Sequence, residues 1–164
     1  MCNFWSAIVK KNGTVLFDEM SDSHEDVIDK YKLKDETADP ELLEFARIEI
    51  TPPRGDVFAP TKDWIFKIDQ SCTPVWFTDK NKKDCYKKLK TFASKAIIVG
   101  KEIKEVSKGR IWVKDCNVLT AKGNVLICEM WGTSQVRSMW GTSQVGEMWG
   151  TSQVGEMRGN SLVG

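Results

Sequence analysis

The chain has 164 residues, 41% of them apolar and 29% charged, with a formal net charge of +1. That length holds one ordinary domain or a compact domain with an appendage, and the composition excludes a disordered chain. Near-neutral charge argues against strong steering to nucleic acid or an anionic membrane, and the longest aliphatic run, "AIIV" at 96–99, is far too short to span one.

In chain order, "FWSAIVKKNGTVLFDE" predicts a hairpin, because Asn12-Gly13 sits between apolar runs and both residues tolerate positive φ. "SDSHEDVIDKYKL" predicts a short helix over about 23–31, with serine and aspartate caps, early acids, and Val27, Ile28 and Tyr31 on one face. "DPELLEFA" has the same grammar, Asp39 capping and Pro40 at the first helical position. "ARIEIT" alternates like a strand with Ala46, Ile48 and Ile50 on one face; "DWIFKIDQ" does so with Trp64, Phe66 and Ile68. "DKNKKDCYKKLKTFASKAI" carries an apolar stripe of Cys85, Tyr86, Leu89, Phe92, Ala93 and Ala96, predicting a helix over about 79–95. Its lysines, Lys82, Lys83, Lys87, Lys88 and Lys90, read as a solvated face, and no RNA-binding motif supports contact with nucleic acid.

From about residue 109 helical periodicity gives way to short β-prone runs. The chain closes on "GEMWGTSQVGEMWGTSQVGEMRGNSLVG", a nine-residue repeat clear over 129–164, with degenerate copies such as "DCNVLTA" before it. Nine extended residues reach about 30 Å, and two sheets stand about 10 Å apart, so a closed turn of nine would leave almost no strand. Two repeats per turn fit. The expected fold is therefore α+β: a head over 1–108 with an antiparallel sheet, then a β-solenoid or β-roll over 109–164 with Gly141, Gly150 and Gly159 at its corners. Trp131 should then stack on Trp149 on one side, and Trp140 on Arg158 on the other. Ser134, Ser143 and Ser152 with Val136, Val145 and Val154 form the expected core, and Met139, Met148 and Met157 can point inward only if each strand bends. A strand edge left uncovered at the C-terminal side would be a template for pairing.

Candidate chemistry is sparse. Five cysteines without a C-x-x-C pair read as free thiols in a reducing interior, and "MCNFWSAIVKKNG" has no signal-peptide pattern, so a cytoplasmic protein is expected. His24 stands beside Asp22, Glu25 and Asp26 without further ligands or a nucleophile elbow, and reads as a capping or exposed residue; no metal or cofactor is expected. Cys2, if Met1 is removed, would join a nucleophilic thiol to a free α-amine, and "MCNF" faintly resembles the opening of N-terminal-cysteine amidotransferases, with Asn3 in place of their glycine. "WIFKIDQSCTPVWF" offers Trp64, Asp69, Gln70 and Trp76 as ligand-binding residues, with Trp76 as an aromatic wall; the favoured reading is structural, the aromatics closing the head's core and Asp69 with Pro74 shaping the exit turn.

Taken together, "MCNFWSAIV", "DSHEDVI", "FARIEITPP" and "WIFKIDQSCTPVWF" resemble a family of small, largely uncharacterised proteins of bacteriophages, prophages and gut-type bacteria. Its members pair such a head with short Gly/Asn-Ser-x-Val repeats, and this tail departs from their commoner octad-like unit. The resemblance implies a phage-associated accessory protein and brings no catalytic residue with it. The favoured expectation is a non-enzymatic binder using Trp131, Trp140, Trp149 and Arg158 toward a host protein or a second copy of itself. The alternatives are sequestration of a small ligand or nucleotide, and a Cys2-dependent hydrolase or amidotransferase.

Overall fold

The computed structural model describes residues 5–34, 37 and 39–164. They form two compact units that divide between Ser94 and Lys95. The division falls earlier than the change of sequence grammar near 109. The first solenoid strands, in "IIVGKEIKEVSKGRIWVK", carry lysine and glutamate in place of the Gly-Thr-Ser corners that make later turns recognisable.

The first unit is built on a four-stranded antiparallel sheet of order β2-β1-β3-β4, with β1 at Trp5–Lys10, β2 at Val15–Leu16, β3 at Phe45–Thr51 and β4 at Ile65–Ile68. The Asn12-Gly13 turn joins β1 to β2: Gly13 has φ 81°, and the Asn12 carboxamide accepts from the Thr14 amide at 3.0 Å. Helix α1, His24–Tyr31, starts on Ser23, whose hydroxyl accepts from the Asp26 amide. Helix α2 spans Asp79–Ala96.

Pairing assigns the faces of the sheet. Ile8 lies opposite Arg47 and Leu16, and packs with Val27 and Ile28 of α1. Trp5, of opposite parity, meets Phe92 of α2 edge to face at 4.9 Å, and Phe66 meets Tyr86 at 5.6 Å. The stripe anticipated on β3 is therefore real: Ala46, Ile48 and Ile50 are all fully buried. One expected element is shorter than foreseen. "DPELLEFA" forms a single turn, with the Asp39 carbonyl accepting from the Leu42 and Leu43 amides, because β3 has already begun at Phe45. Asp39 caps that turn as expected, taking the Glu41 amide at 3.0 Å.

The buried cysteine on α2 carries a chemical consequence. Burial pushes the Cys85 thiol up to about 11. At pH 8 the folded protein should be alkylated at the half-buried Cys72 well before Cys85, by at least about tenfold in rate, as peptide mass mapping would show. Equal rates would mean that α2 opens readily.

The second unit is a C-terminal β-solenoid of about 4 turns. Its parallel strands are β5 (Ile97–Val99), β6 (Glu102–Lys114), β7 (Asn117–Trp131), β8 (Gln135–Met139), β9 (Gln144–Met148), β10 (Gln153–Met157) and β11 (Leu162–Val163). Val118 pairs with Val136 and Val136 with Val154; Ile127 pairs with Val145 and Val145 with Val163. Successive partners lie 18 residues apart in each column. The β6–β7 pairing is less regular, shifting register between Val106 and Lys108 and again between Ile111 and Trp112.

The narrow core holds Val118, Ala121, Ile127, Met130, Val136, Met139 and Val145. Val136 and Met139 are both buried although three residues apart, so the strand bends between them, as does the partner pair Val118 and Ala121. Burial weakens along the columns: Ser134 and Ser143 are fully enclosed, Val154 is half-buried and Met157 is exposed.

Candidate functional site

The solenoid corners follow from the repeat unit Trp-Gly-Thr-Ser. Glycine enters the corner with positive φ, 67° at Gly132, 73° at Gly141 and 76° at Gly150. The serine hydroxyl then turns back onto the tryptophan carbonyl: Ser134 donates to Trp131 at 2.7 Å, Ser143 to Trp140 at 2.9 Å and Ser152 to Trp149 at 2.9 Å. Thr142 and Thr151 amides donate across turns to the carbonyls of Gly123 and Gly132, both at 3.0 Å. Where the first turn lacks this sequence, Asp115 substitutes for it. It adopts φ 53°, and its carboxylate accepts from the Thr133 amide and hydroxyl at 3.0 and 3.2 Å.

These corners hold the tryptophans in columns. Trp131 lies over Trp149, ring centroids 5.4 Å apart and 22° from parallel. In the other column the Arg158 guanidinium sits 4.9 Å from the centre of Trp140. The alternation anticipated from chain-length geometry is the one observed. The rings remain accessible, Trp140 at 43% and Trp149 at 48%.

Sequence reasoning missed the carboxylates behind the stack. The Trp131 Nε1–H donates to Glu129 Oε2 at 2.7 Å, and Trp149 Nε1–H to Glu147 Oε2 at 3.1 Å. Glu129 and Glu147 are themselves register partners. The spacing Glu-x-Trp was the available signal, since residues i and i+2 of a strand share a face. Each indole is thus fixed in rotation, presenting ring surface and edge beside a negative charge.

The head's candidates are drawn together differently. Trp64 is buried and donates to the Ala59 carbonyl at 3.1 Å; Trp76 donates to the Leu43 carbonyl at 2.7 Å. Gln70 accepts from the Arg47 amide at 2.7 Å and donates to the Cys72 carbonyl. Asp69 joins a charged row on the α1 face of the sheet: Lys67 bridges Asp69 at 3.0 Å and Glu49 at 3.1 Å. His24 is not exposed, as the sequence suggested, but buried; its Nε2 meets the Ile48 carbonyl at 3.0 Å and its Nδ1 faces Asp69 at 3.5 Å. These polar groups spend their hydrogen bonds on the chain's own backbone and on one another, tying α1 and the β4 exit to β3. Cys2 lies outside the described residues.

Hydrogen bonding from Lys67 holds the Asp69 carboxyl below the ordinary aspartate value, against opposing desolvation. A depressed carboxyl stabilises the fold above its unfolded pKa, and that contribution fades as pH falls through the folded value. Lys67→Met is expected to return the Asp69 titration, followed by NMR, toward the ordinary range, and to flatten the acid limb of the stability curve. An unmoved Asp69 titration would show that Lys67 is not the cause.

Among the described residues no group of three or more His, Cys, Asp and Glu side chains could hold a metal ion, and no helix is long and apolar enough to cross a membrane. No family model, curated protein or solved structure matches the chain.

Proposed function

We propose that this protein works by non-covalent binding through its repeat tail, as a phage-associated accessory protein whose partner is a host protein or a second copy of the chain. The observation that carries the reading is the accessible Trp131–Trp149 stack, locked by Glu129 and Glu147. Exposed aromatics held in one rotamer lose little entropy on contact, and tryptophan is the residue type that most often dominates interface energies. We read each solenoid turn as two nine-residue repeats, so duplication of a unit lengthens the same surface without redesigning the core. The resemblance of the head motifs to phage and prophage proteins supports the biological setting. Free thiols at Cys72, Cys85, Cys116 and Cys128 accord with a reducing host cytoplasm.

Affinity capture from a gut-type bacterial lysate, paired with light scattering of the purified protein, tests this reading. A Trp131→Ala/Trp149→Ala variant that keeps its far-ultraviolet circular dichroism should lose the captured protein or the self-association seen with the wild type. Identical capture and identical mass for both proteins would sink it.

A further inference from the structure

We infer that the Glu147–Trp149 corner is a receptor for an arginine side chain supplied by a protein partner. This rests on the proposed use of the repeat face for binding and adds the chemistry that face selects. The molecule itself supplies the pattern. In the second column, the chain places the Arg158 guanidinium 4.9 Å from the Trp140 ring, in the in-register position one turn on. The residue pairs around it make the geometry explicit: Met139 pairs with Met157, and Trp140 and Arg158 are the residues that follow them. Lys122 holds the equivalent place on the preceding turn, following Ala121, the partner of Met139. The Trp140 column therefore reads lysine, tryptophan, arginine.

The other column begins alike, with Lys114 paired to Trp131, and continues to Trp149. Trp149 is 48% exposed. Its indole N–H is occupied by Glu147, which leaves ring surface as its means of recognition and sets a carboxylate beside it. A ring face attracts a cation through its quadrupole, and a neighbouring carboxylate adds direct attraction. Guanidinium suits both at once, because it is planar, weakly hydrated and can stack while its edge donates to a carboxylate. An ammonium is a compact, strongly hydrated charge and gains less. Charge complementarity thus favours an arginine-bearing segment over an acidic or purely apolar one.

The test uses the full-length protein and fluorescein-labelled hexa-arginine and hexa-lysine peptides in about 0.15 M salt, where long-range attraction is largely screened. Hexa-arginine is expected to quench tryptophan fluorescence and to bind about tenfold tighter than hexa-lysine, a ratio within reach of one desolvated cation–π contact. Trp149→Ala should lose about tenfold in hexa-arginine affinity and Glu147→Gln about threefold, whereas Trp149→Phe, which keeps a ring and guards against simple misfolding, should stay within about threefold of the wild type. Equal binding by wild type and both Trp149→Ala and Glu147→Gln would overturn the proposal, as would hexa-lysine matching hexa-arginine. If Trp149-dependent capture from lysate persists while hexa-arginine fails, the binding face stands and the arginine assignment falls.

Discussion

Deleting Gly146–Val154, one nine-residue unit, is expected to leave the solenoid folded and to carry Arg158 from Trp140 onto Trp131. The deletion joins Val145 directly to Gly155, so the β9 strand continues as Gly-Glu-Met and then meets Arg158 at the corner that Trp149 now occupies. Valine, methionine and serine keep their inward positions because the excised unit is replaced by its own copy. Solenoid stability accumulates turn by turn, so losing half a turn should lower the melting temperature by only a few degrees. Deleting five residues, Gly150–Val154, is the contrasting case. It would put Met157 where Ser152 closes a corner and Gly159 where Val154 faces the core, and the strands beyond Trp149 should detach. Hydrogen exchange of the Gly155–Met157 amides, present in both variants, separates the outcomes: protection retained after the nine-residue cut and lost after the five-residue cut. Loss in both would refute the two-repeat turn.

Gly150→Val is the second change expected to act strongly. Gly150 has φ 76°, a conformation that costs an L-residue about 1–2 kcal/mol on its own and more when the side chain is β-branched. A Cβ at this position would also stand 2.9 Å from the Gly132 carbonyl oxygen and 3.2 Å from the Gly132 nitrogen, both backbone atoms of the neighbouring turn. That carbonyl accepts the Thr151 amide, so it cannot retreat without breaking a rung. We expect Gly150→Val to cost about 3 kcal/mol, Gly150→Ala roughly half as much, and both to disturb the Trp131–Trp149 stack. Chemical denaturation with near-ultraviolet circular dichroism would register stability and ring stacking together. A fully stable Gly150→Val with native tryptophan dichroism would show that the corner is not held by close backbone approach.

Both predictions rest on a part of the molecule whose logic is local and was therefore legible. The solenoid repeats one environment, so the period, the strand reach and the sheet spacing together constrain how Trp131, Trp140, Trp149 and Arg158 fall into columns. The Asn12-Gly13 hairpin, the Ser23-capped helix and the β3 stripe were readable for the same reason: each depends on neighbours within a few residues.

Other features escaped because their causes are distant in sequence. His24 looked like an exposed cap among acids, yet packing α1 on the sheet buries it against the Ile48 carbonyl, 24 positions away. Asp69 and Gln70 read as structural first and as ligand groups second, but their partner was not visible: pairing of β4 with β3 brings both to the Arg47 backbone, more than 20 positions away. The first solenoid turn hid behind charged, irregular residues, because Asp115 makes with a side chain the corner that later turns make with backbone. Periodicity alone thus determined the kind of architecture and the columns of the tail. The Glu129–Trp131 and Glu147–Trp149 bonds lay within reach of the Glu-x-Trp spacing, whereas only the tertiary structure decided which polar groups hold the head together, since those pairings depend on how strands register and helices dock.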